Sequence, residues 1–175
     1  MIRFRFAPDK ALAALHQMVS EQPGLELHAA LKACYFADKS HFNEHLRPIF
    51  GATYRAMKFG PVPLEIYEMA KGESLWLAEL GIERLPWRLE GFRLHLQDNR
   101  PVDESSLSKS DREHLSAALQ RSLGMTFNER TAATHGPDWQ AAELDLMRYE
   151  DMLDAREDRA GVLQYLQENA RFMRI

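Results

Sequence analysis

The sequence holds a single cysteine, Cys34, in 175 residues. One thiol can close no internal disulfide and excludes a multi-cysteine zinc site. No stretch approaches the ~20 consecutive apolar residues that a bilayer span needs, so no transmembrane segment is expected. The opening segment MIRFRFAPDK carries charges where a secretory leader would carry its apolar run, so a cytoplasmic protein is expected. Clustered Lys and Arg are also lacking, with 22 Lys+Arg against 26 Asp+Glu and a net charge of −4. That balance disfavours nucleic-acid binding, leaving only a small basic group at Arg47, Arg55 and Lys58. The patterns G-x-S-x-G, G-x-x-x-x-G-K-[ST] and G-x-G-x-x-G do not occur, which removes the usual signatures of hydrolases, NTPases and dinucleotide binding.

What is present is the composition of an ordinary folded domain, 45% hydrophobic and 27% charged. The length predicts one domain over 1–175. Charge is uneven along the chain: +3 over 1–60, −3 over 61–137 and −4 over 138–175. An acidic C-terminal third could steer a protein partner, although a solvated helix face accounts for it more simply.

Alternation of Ile2, Phe4 and Phe6 predicts a short strand. Pro8 then opens a helix with Leu12, Leu15, His16 and Val19 on one stripe, broken at Pro23-Gly24. From Leu25 to about His45, the three- and four-residue spacing of Leu27, Leu31, Cys34, Tyr35, Asp38 and Phe42 predicts a central, well-covered helix. Asp38 lies on that stripe, so its carboxylate needs a partner if buried. A turn at Arg47-Pro48 leads to an extended run over 54–59, then Gly60-Pro61-Val62-Pro63 and a helix that stops at Gly72. Residues 85–97 predict a hairpin with Glu90-Gly91 as its loop. Ser108-x-x-Asp111 and Thr126-x-x-Glu129 predict capping boxes, for a helix over 109–123 and a short one closing near His135. Helix is predicted again over 138–147, and one or two helices near the end carry Val162, Leu163, Tyr165, Leu166 and Phe172. The expected fold is α+β, mainly α-helical: a compact helical domain with a small antiparallel β-sheet or hairpin.

One pattern has a catalytic shape. His41-Phe42-Asn43-Glu44-His45 matches H-x-x-E-H, in which two histidines one helical turn apart share a zinc ion and the glutamate acts as base. A third ligand is needed, with Glu113 the candidate, and a solvated helix end with His45 at its negative pole explains the same residues. Cys34, between Ala33 and Tyr35, reads as a buried structural thiol. Tyr35, Phe36, Tyr54, Met57 and Phe59 read as core. His135 and Trp139 read either as a surface anchor for a partner or as a packed Trp with its indole N–H satisfied locally.

The order of elements over residues 31–72 resembles the Panacea domain, the SocA-like antitoxin domain. The elements are Tyr35-Phe36-Ala37-Asp38, Arg47-Pro48-Ile49, Tyr54 to Lys58, and Gly60-Pro61-Val62-Pro63 followed by Tyr67, with Thr134-His135 and Trp139 later. The resemblance covers about 10–145 and leaves a helical extension over about 146–175. The N-terminal strand, His41 and His45 have no family counterpart. The resemblance implies an antitoxin of a toxin–antitoxin system, of the kind carried on prophages, that neutralises a co-encoded toxin by direct protein–protein binding without catalysis or cofactor. Adaptor action, delivering the partner to a cellular protease, is the alternative, and a small zinc-dependent hydrolase using His41, Glu44 and His45 is the remote one. The chain leaves no room for a separate DNA-binding domain, so direct DNA binding is not expected. Tyr35, Asp38, Tyr54, Lys58, Gly60, Pro61, Pro63, His135 and Trp139 are the implied signature or partner-binding residues. Asp38 is expected to anchor the 54–63 segment, and Gly60-Pro61 to set its turn. If that segment is exposed, the partner is expected there, touching Lys58 and Pro61.

Overall fold

Pro8, whose fixed φ suits a first helical turn, opens α1 (Pro8–Glu21) in the computed structural model, which describes residues 1–175. Ala11, Leu15, Met18 and Val19 form its buried stripe. The chain breaks at Gly24, which adopts a φ of 76°. The helix expected from Leu25 begins two residues later. Leu25–Glu26 form β1, and α2 spans Leu27–His45. Helical periodicity carries no information about a strand partner far along the chain, and β1 pairs with one (Leu25 opposite Leu94).

α2 is the centre of the molecule, covered on most of its circumference from Leu27 to Asp38. It ends at Leu46, whose left-handed φ of 56° turns the chain back toward the helix. Next come β2 (Tyr54–Met57) and β3 (Gly60–Pro63), an antiparallel hairpin with Met57 opposite Gly60 and Tyr54 opposite Pro63. Gly60–Pro63 therefore forms a strand, and Gly60-Pro61, expected to set the turn of the 54–63 segment, lies just after that turn. Pro61 and Pro63 are tolerated because β3 is an edge strand and needs no donor on its outer side. The other edge of β2 is covered by residues 145–147, with Ala56 N–H donating to Asp145 O and Met147 N–H to Tyr54 O, both at 2.9 Å.

α3 (Leu64–Lys71) stops at Gly72 as the sequence predicts, and α4 (Ser74–Leu80) follows. β4 (Trp87–Glu90) and β5 (Arg93–Leu96) complete a three-stranded sheet of order β1-β5-β4. Glu90 pairs with Arg93, so the loop is Gly91-Phe92, one residue later than expected, with Gly91 supplying the positive φ of 60°.

Both capping boxes form, opening α5 (Lys109–Leu123) and α6 (Phe127–Ala133). α7 (Pro137–Ala141) is shorter than the expected 138–147. Glu143 and Leu144 take left-handed φ values, 47° and 66°, and release the chain to run beside β2. α8 (Tyr149–Met152) and α9 (Arg159–Asn169) close the chain with a single 3₁₀ turn over Ala170–Phe172.

The expected strand at 2–6 is absent as a strand. Its alternation is real, with Ile2 buried and Arg3 and Arg5 exposed, but the segment joins neither sheet. The segment is instead tied down by single bonds, from Ile2 N–H to Glu150 Oε1 at 2.8 Å and from Ala7 N–H to Phe50 O at 2.9 Å. One hydrophobic cluster runs from Ile2 to Ala170, while Tyr165 and Phe172 stand in solvent. No helix is long and apolar enough to cross a membrane.

Candidate functional site

Asp38 is fully buried, and its partners explain the turn after α2. Its Oδ1 accepts the backbone N–H groups of Ile49 at 2.7 Å and Phe50 at 2.9 Å. Its Oδ2 accepts the Tyr54 hydroxyl at 3.0 Å. Burial pushes the carboxyl up to about 7, against the opposing pull of those three donors. Burial also raises the Tyr54 phenol well above its ordinary range, so it stays a donor. Asp38 thus anchors the start of the 54–63 segment, at Tyr54, and the 49–50 turn before it.

The β2–β3 hairpin is clamped between α2 and the α6–α7 connection. The Trp139 indole N–H donates to Met57 O at 3.0 Å, and the His135 ring stacks on Trp139 with centroids 3.7 Å apart. Tyr35 donates its hydroxyl to the buried Asp138 Oδ2, which also accepts from Lys39 Nζ at 3.0 Å. Lys32, 1% exposed, donates to Pro61 O at 2.7 Å. Gly60 has a φ of 98°, and a Cβ there would collide with Thr134 Oγ1 and lie 2.9 Å from Lys32 Cε. Pro63 is buried and immediately precedes the first turn of α3. The segments expected to carry the signature residues therefore meet at one place, the hairpin and its two supports. Pro61 is buried, so of the two residues expected to touch a partner only Lys58 is available.

Met57 and Phe59, expected in the core, are exposed at 37% and 48%. They sit at the hairpin turn, beyond the helices that cover the strands. With Phe92 (81% exposed) from the β4–β5 loop and Phe127 (37%) from the start of α6, they line a groove of about 930 Å³. Leu27, Leu31, Lys32 and Val62 also line it, with Glu26, Glu90, Lys58 and Arg93 as its charged members. Phe59 meets Phe127 edge-on at 5.2 Å, and Phe127 stacks on His28 at 4.0 Å.

The groove has a fixed electrostatic backing. Burial, reinforced by Arg130, pushes Lys32 down to about 7. His28 is pushed down to about 4, first by burial and then by the Lys32 charge, so its ring is neutral. Arg130 Nε faces His28 Nδ1 at 3.3 Å and can only donate, so the ring proton sits on Nε2 and points to Phe59 O at 3.2 Å. Arg130 also caps the Ser122 and Met125 carbonyls, both at 3.1 Å, and pairs with Glu26 at 3.3 Å.

The H-x-x-E-H residues part company. His41 is fully buried, with Nδ1 donating to Arg47 O at 2.8 Å and Nε2 3.0 Å from Ser110 Oγ. Both nitrogens are thus engaged within the protein. Glu44 and His45 face outward beside His114 of α5, and Glu113 is not in that group. Arg47 pairs with Asp111, which it shares with Lys10, and Arg55 faces Asp145 at 3.8 Å, so two of the three residues of the basic group at Arg47, Arg55 and Lys58 have a carboxylate partner. Cys34 is buried, and burial raises its thiol far above the reactive range.

Sequence reasoning missed Asp138, Lys32, Phe92, Phe127 and His114. Lys32 carried a signal, a charge inside an apolar helical stripe. Phe92 and Phe127 carried none, since an exposed and a buried phenylalanine read alike.

The family model of the antitoxin SocA-like, Panacea domain matches residues 31–140, from the apolar face of α2 through Trp139. No curated protein and no solved structure matches the chain.

Proposed function

Because the chain belongs to the SocA-like antitoxin family of Panacea domains, we propose that it neutralises a co-encoded toxin by direct protein–protein binding, with the Phe59 groove as the contact surface. The role is one of binding, and no catalytic step is assigned to any residue. The observation that supports the site is the convergence of Met57, Phe59, Phe92 and Phe127, four exposed apolar side chains from three segments, on one groove. A contiguous apolar surface of this kind is costly to leave in water and marks an interaction site. Aromatic anchors with a polar rim, here Lys58, Glu90 and Arg93, are the usual anatomy of a protein interface. A toxin that presents an apolar segment fits this surface.

Co-expression with the product of the adjacent gene tests the proposal, scoring growth and co-purification together. Growth rescue with a stable complex is the expected result. Rescue without a complex, accompanied by loss of the toxin protein, would replace direct inhibition with delivery to a protease.

A further inference from the structure

We propose that Glu44, His45 and His114 form a zinc site that ties the end of α2 to α5. One ligand atom from each lies within 4.8 Å of the other two. His114 Nε2 is 3.2 Å from Glu44 Oε2, and His45 Nε2 is 3.6 Å from Glu44 Oε1. Ligand atoms on a tetrahedral zinc with bonds of about 2.1 Å stand about 3.4 Å apart. Small side-chain rotations therefore bring the three onto one ion.

The hydrogen bonds around His114 point the same way. Ser40 Oγ donates its one proton to Ala37 O at 3.1 Å. With its proton there it is an acceptor for His114 Nδ1, 2.7 Å away, and the ring tautomer protonated at Nδ1 leaves the Nε2 lone pair aimed at the Glu44 carboxylate. In that tautomer a cation held between Nε2 and the carboxylate oxygen, 3.2 Å apart, relieves the repulsion of their lone pairs. Fixing the tautomer through the second ring nitrogen is how metal-ligating histidines are oriented. Two imidazoles and one carboxylate are a borderline donor set suited to zinc. Glu44 and His45 are exposed and His114 half-buried, so an ion can enter and a water can complete its fourth position. The site sits on the α2–α5 contact, the most extensive between any two elements, so an ion bound there favours the folded chain over the unfolded one.

The test uses tag-free protein stripped with chelator and then titrated with Zn²⁺ by calorimetry and Co²⁺ by absorbance. One zinc per chain, a Co²⁺ spectrum of tetrahedral intensity and an unfolding midpoint that rises with zinc are expected. His114→Ala and Glu44→Gln, both at solvent-accessible positions, should keep the circular dichroism of the parent and lose all three signals. His95→Ala on β5 should keep them. Absence of saturable uptake at micromolar zinc, or uptake undiminished in His114→Ala, overturns the site.

Discussion

Trp139 donates its indole N–H to the Met57 carbonyl at 3.0 Å, and Met57 is the residue at which β2 gives way to the turn bearing Phe59. A side chain from α7 thereby holds the exposed tip of a hairpin whose strands lie far from it in sequence. The Tyr35–Asp138 and Lys32–Pro61 bonds join the same connection and the same hairpin to α2.

Trp139→Phe keeps a ring for His135 to stack on and removes the donor. A lost hydrogen bond of this kind costs about 0.5–1.5 kcal/mol. Urea denaturation should show that loss, and amide exchange at Lys58–Gly60 should quicken more than in α5. Unchanged exchange at the hairpin would mean that the indole does not hold it.

Asp38→Ala leaves two backbone N–H groups buried without an acceptor and the Tyr54 phenol with only the Cys34 carbonyl, 3.4 Å away. Each such orphan costs about 1–3 kcal/mol, so a loss of several kcal/mol is expected. Asp38→Asn retains a carbonyl oxygen for Ile49 and Phe50 and should lose clearly less. Thermal melts by circular dichroism compare the two, and an alanine variant melting with the wild type would contradict the anchoring role.

Gly60→Ala forces a Cβ onto a φ of 98° and against Thr134 and Lys32. Left-handed strain in a residue with a Cβ costs about 1–3 kcal/mol, and the collision adds to it. The expected result is a lower unfolding midpoint. A neutral effect would show that the hairpin can move away from α2.

Lys32 makes stability depend on pH. Its ordinary value of 10.5 falls to about 7 in the fold. Between those two values the unfolded chain holds a proton that the folded chain has released, so stability rises as pH rises through that window. Below about 7 the full cost of a buried ammonium is present. In Lys32→Met the group is gone, and the wild type should gain on this variant by up to about 1.4 kcal/mol per pH unit between about 7 and 10.5. A wild-type-minus-variant difference that stays flat with pH would contradict a desolvated lysine.

What the sequence made legible was local. Ser108/Asp111 and Thr126/Glu129 announce their helices because a capping box is complete within four residues. Gly72 ends α3 for the same kind of reason. Pairings between distant segments were not legible: Leu25–Glu26 reads as helix until β5 is beside it, and Ile2–Phe6 reads as strand although nothing pairs with it. Asp38 was recognisable as a buried carboxylate needing partners, whereas Asp138, equally buried, has no helical stripe around it to reveal that. The groove was hidden for a further reason. Phe59, Phe92 and Phe127 come from three hydrophobic patterns, and only the fold decides which phenylalanines stay in water. His41 looked like a ligand through spacing alone, while His114 lies on another helix and reaches the group only through the packing of α2 on α5.

The central claim is that the groove carries the toxin, and the most direct measurement is neutralisation by Phe59→Asp. This side chain is 48% exposed, so the variant should fold, which circular dichroism and its melting point check first. A charge placed in the apolar contact should abolish co-purification with the toxin and remove growth rescue, while Tyr165→Asp, on exposed α9, should leave both intact. Full rescue with a stable complex by folded Phe59→Asp would contradict the account.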